Sequence, residues 1–293
     1  MDNNNSYLWP VTYDEVSHEL TKWKFYKYFT KISGSVYLKN DLIDDPVLVT
    51  QALIKRCPQG VLRGYAALNR RGYQLFDDPW MPIISISGEP RTRKTTNVGK
   101  IIRRETPENL RRSGEFTLVS DSQALLDVFS LHGLDSFEHQ VALIDHLIRQ
   151  CPDLKDEIKK VPELRKHAEF TDEFAESPPE SRLRVRLHMQ GHRNFMPQVR
   201  VELEGRRFYL DLADPVWGVA LEYNGGWHYT AEQRSKDAFR KNALKNAGWD
   251  VFEVTSKILQ SQQAWDYFFQ QVTGAIQRKF AERRRRLPMQ TVS

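Results

Sequence analysis

The sequence predicts an α+β protein built from more than one domain. Three observations carry this. The chain has 293 residues, and domains usually take roughly 100–200. Its hydrophobic fraction is 40% and its aromatic fraction 11%, enough to bury cores and to exclude a disordered or fibrous chain. Segments with helical spacing also alternate with short strand-like runs. The longest apolar runs, such as Val219-Ala220-Leu221, fall far short of the roughly 20 residues a membrane helix needs, so no membrane partner is expected. The start, MDNNNSYLWP, lacks a basic stretch followed by an apolar one, which predicts no secretory signal and a cytoplasmic protein. The two cysteines, Cys57 and Cys151, form no CxxC motif, which excludes a disulfide framework and a cysteine zinc cluster.

The first 60 residues read as two helices and a strand. Thr12–Leu20 is a helix candidate. Lys22–Lys31 interleaves four lysines with Trp23, Phe25, Tyr26, Tyr28 and Phe29, and Gly34-Ser35 then turns into the strand Val36-Tyr37-Leu38. This order suits a winged-helix-like module over residues 1–60, with Lys27 and Lys31 facing DNA in a major groove. A helical subdomain with a solvated lysine face fits equally well. Residues 61–150 mix types: helices at Leu62–Arg71, Ser120–His132 and Val141–Ile148, and a strand at Pro82–Ser87. Gly88–Thr95 resembles a phosphate-binding loop after a strand, but Arg93 stands where the second glycine belongs, so nucleotide binding is not expected. Residues 151–176 are proline-bearing and acidic toward the end. They read as a linker with a short helix, placing a boundary near Ser177.

The remaining chain, residues 177–281 with a basic tail at 282–293, carries the chemistry. The charge argument there is local. The whole chain sums to +5, and Arg278–Arg286 alone supplies that amount, so overall charge says little about nucleic acid. Ser177 caps a helix with Pro178 at its first position. Glu180, three residues on, completes a capping box or serves a site. Leu183 and Leu187 face inward, and Arg182 and Arg186 share an outer face. Phe208–Ala213 and Gly218–Asn224 form a hairpin around Asp214-Pro215. Symmetry about the Val216–Trp217 bond puts Asp211 directly opposite Glu222, with Leu210 and Leu212 on the other face. Like charges so placed are destabilising, so the pair calls for a cation, Mg²⁺ (or Mn²⁺) being the natural one; a solvated pair of acids is the alternative. Asn224 shares the face of Glu222. After the sharp Gly225-Gly226 turn, His228 is placed to act as a general base. A basic helix over Glu232–Ala247 and a strand over Trp249–Thr255 follow.

These residues resemble the very-short-patch-repair-like (Vsr-like) endonuclease branch of the PD-(D/E)xK nuclease superfamily. The matching marks are Ser177-Pro-Pro-Glu180-Ser-Arg182, Pro197-Gln198, Leu210-Asp211-Leu212-Ala213, Leu221-Glu222-Tyr223-Asn224-Gly225-Gly226-Trp227-His228, Asp237 to Arg240, and Ala247-Gly248-Trp249. The resemblance implies an α/β sandwich around a central mixed sheet. It implies Asp211, Glu222 and Glu180 as metal ligands, and Glu180, Asp211, Glu222, Asn224 and His228 as the catalytic set. Arg182, Arg186, Gln198, Lys236 and Arg240 would lie along the nucleic acid. Asn224 departs from the family, which usually has an aspartate there; the amide keeps a carbonyl but no charge. Residues 7–150 more loosely resemble the AbiEi-type abortive-infection antitoxin family, through Ser35-Val36-Tyr37-Leu38, Gly64–Leu68 and Ser120–Asp127, which implies DNA binding and a possible protein partner.

The function expected from this is Mg²⁺-dependent hydrolysis of a DNA phosphodiester, double-stranded DNA being the favoured partner, in a bacterial protein of phage defence. The alternative is a non-catalytic DNA-binding regulator or antitoxin on a degenerate nuclease fold. Cut-site preference, DNA against RNA, and oligomeric state stay open.

Overall fold

The computed structural model describes residues 7–76, 80–88, 91–96, 98–203, 205–225 and 231–286, with side chains for all of these except 91–96, 231–236 and 286. It is a mixed α+β chain in two units, Met1–Asp135 with Asp156–Arg165, and Ser136–Lys155 with Lys166–Ser293.

In the first unit, threonine caps open two helices, Thr12 before α1 (Tyr13–Val16) and Thr21 before α2 (Lys22–Tyr28). Buried Phe25 turns the inner face of α2 onto Val16 and Phe29. The second helix ends earlier than its sequence suggests. Phe29–Ser33 is strand β1, antiparallel to β2 (Val36–Lys39), because Phe29 and Ile32 are buried there and β-branched Thr30 and Ile32 favour extended backbone. Lys27 therefore sits in the last turn of α2 and Lys31 on a strand, both exposed. Helix α3 (Pro46–Arg56) starts on the Asp45 cap with proline at its first turn.

A six-stranded mixed sheet follows, built from β3 (Val61–Arg63), β4 (Ile83–Ile86), β5 (Arg91–Thr96), β6 (Gly99–Arg103), β7 (Leu110–Ser113) and β8 (Phe116–Val119), in the order β5-β6-β4-β3-β8-β7. The helix expected at 62–71 is split. Leu62 is buried mid-sheet in β3, and α4 (Gly64–Arg70) begins at Gly64, whose φ of +52 turns the corner. No helix follows Gly88; the chain returns as β5 antiparallel to β6, which is not the geometry of a phosphate-binding loop. Helix α5 (Asp121–Leu131) starts on the Ser120 cap.

The stretch expected as a linker is largely helical. After α6 (Phe137–Gln150) come α7 (Leu154–Lys159) and α8 (Pro162–Phe170). Glu157 accepts from Arg111 (2.8 Å) and from the Ser122 hydroxyl (2.8 Å), which explains why Asp156–Arg165 belongs to the first unit. The second unit begins upstream of the expected boundary near Ser177, because α6 packs on α9 (Pro178–Met189). Arg184 of α9 pairs with buried Asp145 of α6 at 2.7 Å.

The second unit carries a four-stranded mixed sheet of β9 (Met196–Leu203), β10 (Arg206–Asp214), β11 (Val219–Asn224) and β12 (Asp250–Thr255), in the order β12-β11-β10-β9. Its first three strands in sequence are antiparallel neighbours. Helix α10 (Ala231–Asn246) makes the crossover to β12, which runs parallel to β11. α11 (Ser256–Gln260) and the 25-residue α12 (Gln262–Arg286) follow, so helix reaches into the expected basic tail. Leu212, Val219, Leu221 and Val254 pack on one face against Leu183, Leu187, Trp265 and Phe268 of α9 and α12. Ala213 and Ala220 pack on the other against Leu244 of α10. Leu210 joins this second face rather than that of Leu212. The β9–β10 ladder lacks its Gln198–Asp211 pair, and Gln198, at φ +51, is the one non-glycine residue with positive φ among the described residues; strand alternation changes phase at that interruption. Lys279 of α12 donates to the carbonyls of Gly218 (3.0 Å) and Gly248 and lies 3.7 Å from Asp250. No described helix is long and apolar enough to cross a membrane.

Candidate active site

The hairpin that positions the site follows its sequence symmetry. The Asp214 carboxylate accepts from the amides of Val216 (2.9 Å) and Trp217 (3.2 Å), Gly218 at φ +62 closes the turn, and Leu212 pairs with Leu221. That register puts Asp211 across from Glu222, where ladder pairing has given way and the Tyr223 amide donates to Asp211 Oδ2 at 2.9 Å.

Three carboxylates share this end of the sheet. Asp211 is raised above the usual carboxylate range, chiefly by burial and also by Glu176, against the pull of Arg240. Glu222 is pushed up to about 7, by burial first and by Asp211 second, although Arg240 opposes both. Glu180 is raised by burial, with Asp211 adding to it. Among the described residues a single guanidinium serves the group. Arg240 of α10 holds Glu222 with two parallel bonds of 2.9 and 2.8 Å and also donates to the Tyr209 carbonyl. Among the described residues no donor is recorded to the second oxygen of Asp211.

Glu180 has a structural occupation of its own. It accepts from the Ser177 hydroxyl at 2.7 Å and from the Glu176 amide at 3.0 Å, while Ser177 caps α9. Gln198, placed on nucleic acid by the sequence reading, instead donates to Glu180 at 3.2 Å. Its left-handed backbone lies at the register position opposite Asp211, so its role here is to hold the acid group.

Arg182 and Arg186 share a face that is turned to α6 and not to solvent. Arg182 and Arg186 both close on Glu138 of α6, Arg182 through Nε and Nη2 at 3.1 Å each and Arg186 through Nη2 at 2.6 Å and Nε. Their side chains are only 18% and 23% exposed, and Arg186 also lies over the Trp265 ring. Lys236 lies on α10, its side chain outside the described residues, and His228 lies outside them altogether. Asn224 ends β11 next to Thr255 of β12. It lines a cleft of about 390 Å³ with Glu222, Asp237, Arg240, Lys241 and Glu253. Sequence reading missed Glu176 and Glu138. Glu176 was counted as linker charge, and Glu138 meets its arginines from 44 and 48 positions away.

The donor set suits a hard divalent cation. Among the described residues three carboxylates, Glu180 buried and Asp211 and Glu222 half-buried, face one guanidinium, and all three are raised, by burial first and then by neighbouring acids. Among the described residues no group of three or more His, Cys, Asp or Glu is arranged as a ready metal cage. Arg240 takes both oxygens of Glu222, and Glu180 is turned to its own helix start, so an ion would have to share Glu222 with Arg240 or displace it. No family model and no curated protein matches this chain.

Proposed function

We propose that the second unit is a nuclease of the Vsr-like type that hydrolyses DNA phosphodiester bonds with Mg²⁺ or Mn²⁺. One observation carries the reading: Asp211 and Glu222 stand across a strand pair, half-buried, with buried Glu180 beside them and, among the described residues, one guanidinium for the three. Asp211 and Glu222 would hold the ion and Glu180 would complete its surroundings. Once bound, such an ion offsets charge on the phosphoryl oxygens and acidifies water. Arg240 orients Glu222 through its two bonds. In this reading His228 is the base, Asn224 orients water, Lys236 and Arg240 touch phosphate, and Lys27 and Lys31 of a winged-helix-like, antitoxin-like first unit add duplex contacts. A cytoplasmic location goes with this reading.

A non-catalytic DNA-binding regulator or antitoxin is the second reading. The grip of Arg240 on both oxygens of Glu222 favours it, since that acid then has a partner without any ion. Plasmid nicking with Mg²⁺ or Mn²⁺, on wild type and Asp211→Ala, separates the two. The nuclease reading expects nicking that falls to background in the variant, together with Mn²⁺ binding by calorimetry that the variant loses. Salt-sensitive DNA binding without Asp211-dependent cleavage gives the regulator instead.

A further inference from the structure

Helix α2 turns large rings to solvent that a fold would gain by hiding. Of its residues only Phe25 is buried. Trp23 is 69% exposed, Tyr26 56% and Tyr28 47%. None of these three belongs to the cluster built on Val16, Phe25 and Phe29. Exposed rings gathered on one short helix mark a contact surface.

Lysines are set among the rings. At about 3.6 residues per turn, the exposed residues run round the helix as Lys22, Tyr26, Trp23, Lys27, Lys24 and Tyr28, and Phe25 closes the circle on the buried side. Lys31 follows, exposed, on β1. The stretch from Lys22 to Lys31 holds four lysines and no acid. The Lys27 ammonium lies 5.1 Å from the centre of the Trp23 ring and 5.3 Å from that of Tyr28. Tyr26 is braced by Tyr13, parallel to it at 6.4 Å, and by Phe25, edge-on at 5.4 Å.

This mixture selects the partner. A helix that lies on a membrane gathers its rings on one face and its charges on the other; here they alternate. In a duplex the bases are stacked on one another and closed to a side-chain ring, so its phosphates would use the lysines alone. An unpaired strand offers bare base faces together with phosphates, and rings set among cations match both.

We propose that this face binds single-stranded nucleic acid, its bases stacked on Trp23, Tyr26 and Tyr28 and its phosphates against the lysines between them. The phosphate role given above to Lys27 and Lys31 is kept, and the strand they meet is unpaired. The binding does not require the second unit to cut.

Fluorescence anisotropy tests it on the full chain, with chelator present to prevent cleavage, using a labelled oligothymidylate of about 12 nucleotides and a duplex of the same length. The single strand should bind with a Kd of about 10 µM or tighter at about 50 mM salt. Trp23→Ala, at an exposed position, should weaken it about tenfold and leave duplex affinity unchanged. Trp23→Phe, which keeps a ring, should recover most of the loss. No single-strand binding by wild type overturns the proposal without recourse to a variant. So does a Trp23→Ala protein that holds the single strand as wild type does, or one that loses strand and duplex alike. Attachment to phosphatidylserine vesicles in place of the strand overturns it too. Loss of nicking in Asp211→Ala bears on the acid cluster and not on this face.

Discussion

Two ionic clusters on the same unit differ in their proportions. At Glu138, one carboxylate meets two guanidiniums, Arg182 and Arg186. At Glu222, one guanidinium among the described residues faces three carboxylates. Burial raises both acids, and the outcome depends on the count of partners. Two arginines outweigh burial at Glu138 and hold it below the usual range. At Glu222 burial and Asp211 outweigh the single Arg240. The first cluster is complete as it stands and joins α6 to α9. The second has one positive charge for three acids among the described residues, and the nuclease reading builds on that imbalance.

The largest effect should come from breaking the complete cluster. Glu138→Ala leaves two poorly exposed arginines facing each other, so thermal or denaturant unfolding should show a loss of about 3 kcal/mol. The second test reads the incomplete cluster through pH. The carboxyl of Glu222 rises from its usual 4.5 to about 7 on folding, so its contribution to stability is fully present below 4.5 and lost as pH climbs through 7. Glu222→Gln removes that loss. In chelator-treated protein it should be more stable than wild type at pH 8, on the order of 2 kcal/mol, and equal to it near pH 4. Glu138 has the opposite sign, its contribution disappearing as pH falls through its lowered value. A Glu222→Gln protein that unfolds more easily at pH 8 would remove the asymmetry. The smallest effect concerns Glu180. Ser177→Ala removes the α9 cap and should cost about 1 kcal/mol while leaving Mn²⁺ affinity unchanged if Asp211 and Glu222 are the main ligands; calorimetry and unfolding on one variant give both values.

What could be read in advance follows the range of the interactions. The Asp211–Glu222 register came from a local turn, Asp214-Pro215 with Gly218 behind it, whose geometry fixes the strands on either side. The α9 cap was equally local. Two things were out of reach. Leu62 looks like the first residue of an amphipathic helix, and only its place mid-sheet makes it a strand residue. Arg182 and Arg186 look solvated until α6, far upstream, brings Glu138 to them. The capture of Glu222 by Arg240 joins β11 to α10 across 18 positions, and helical spacing alone cannot tell which way an arginine turns.

The contacts of Lys279 tie distant stretches of chain to one another. Its ammonium fastens the β10–β11 turn at Gly218 to the end of α10 at Gly248, and it does so from a helix finished only at residue 286. The strands bearing Asp211 and Glu222 thus take part of their rigidity from a helix that follows both of them in the chain. Until that helix is made and docked the two acids lack this brace, so any chemistry they perform waits for it.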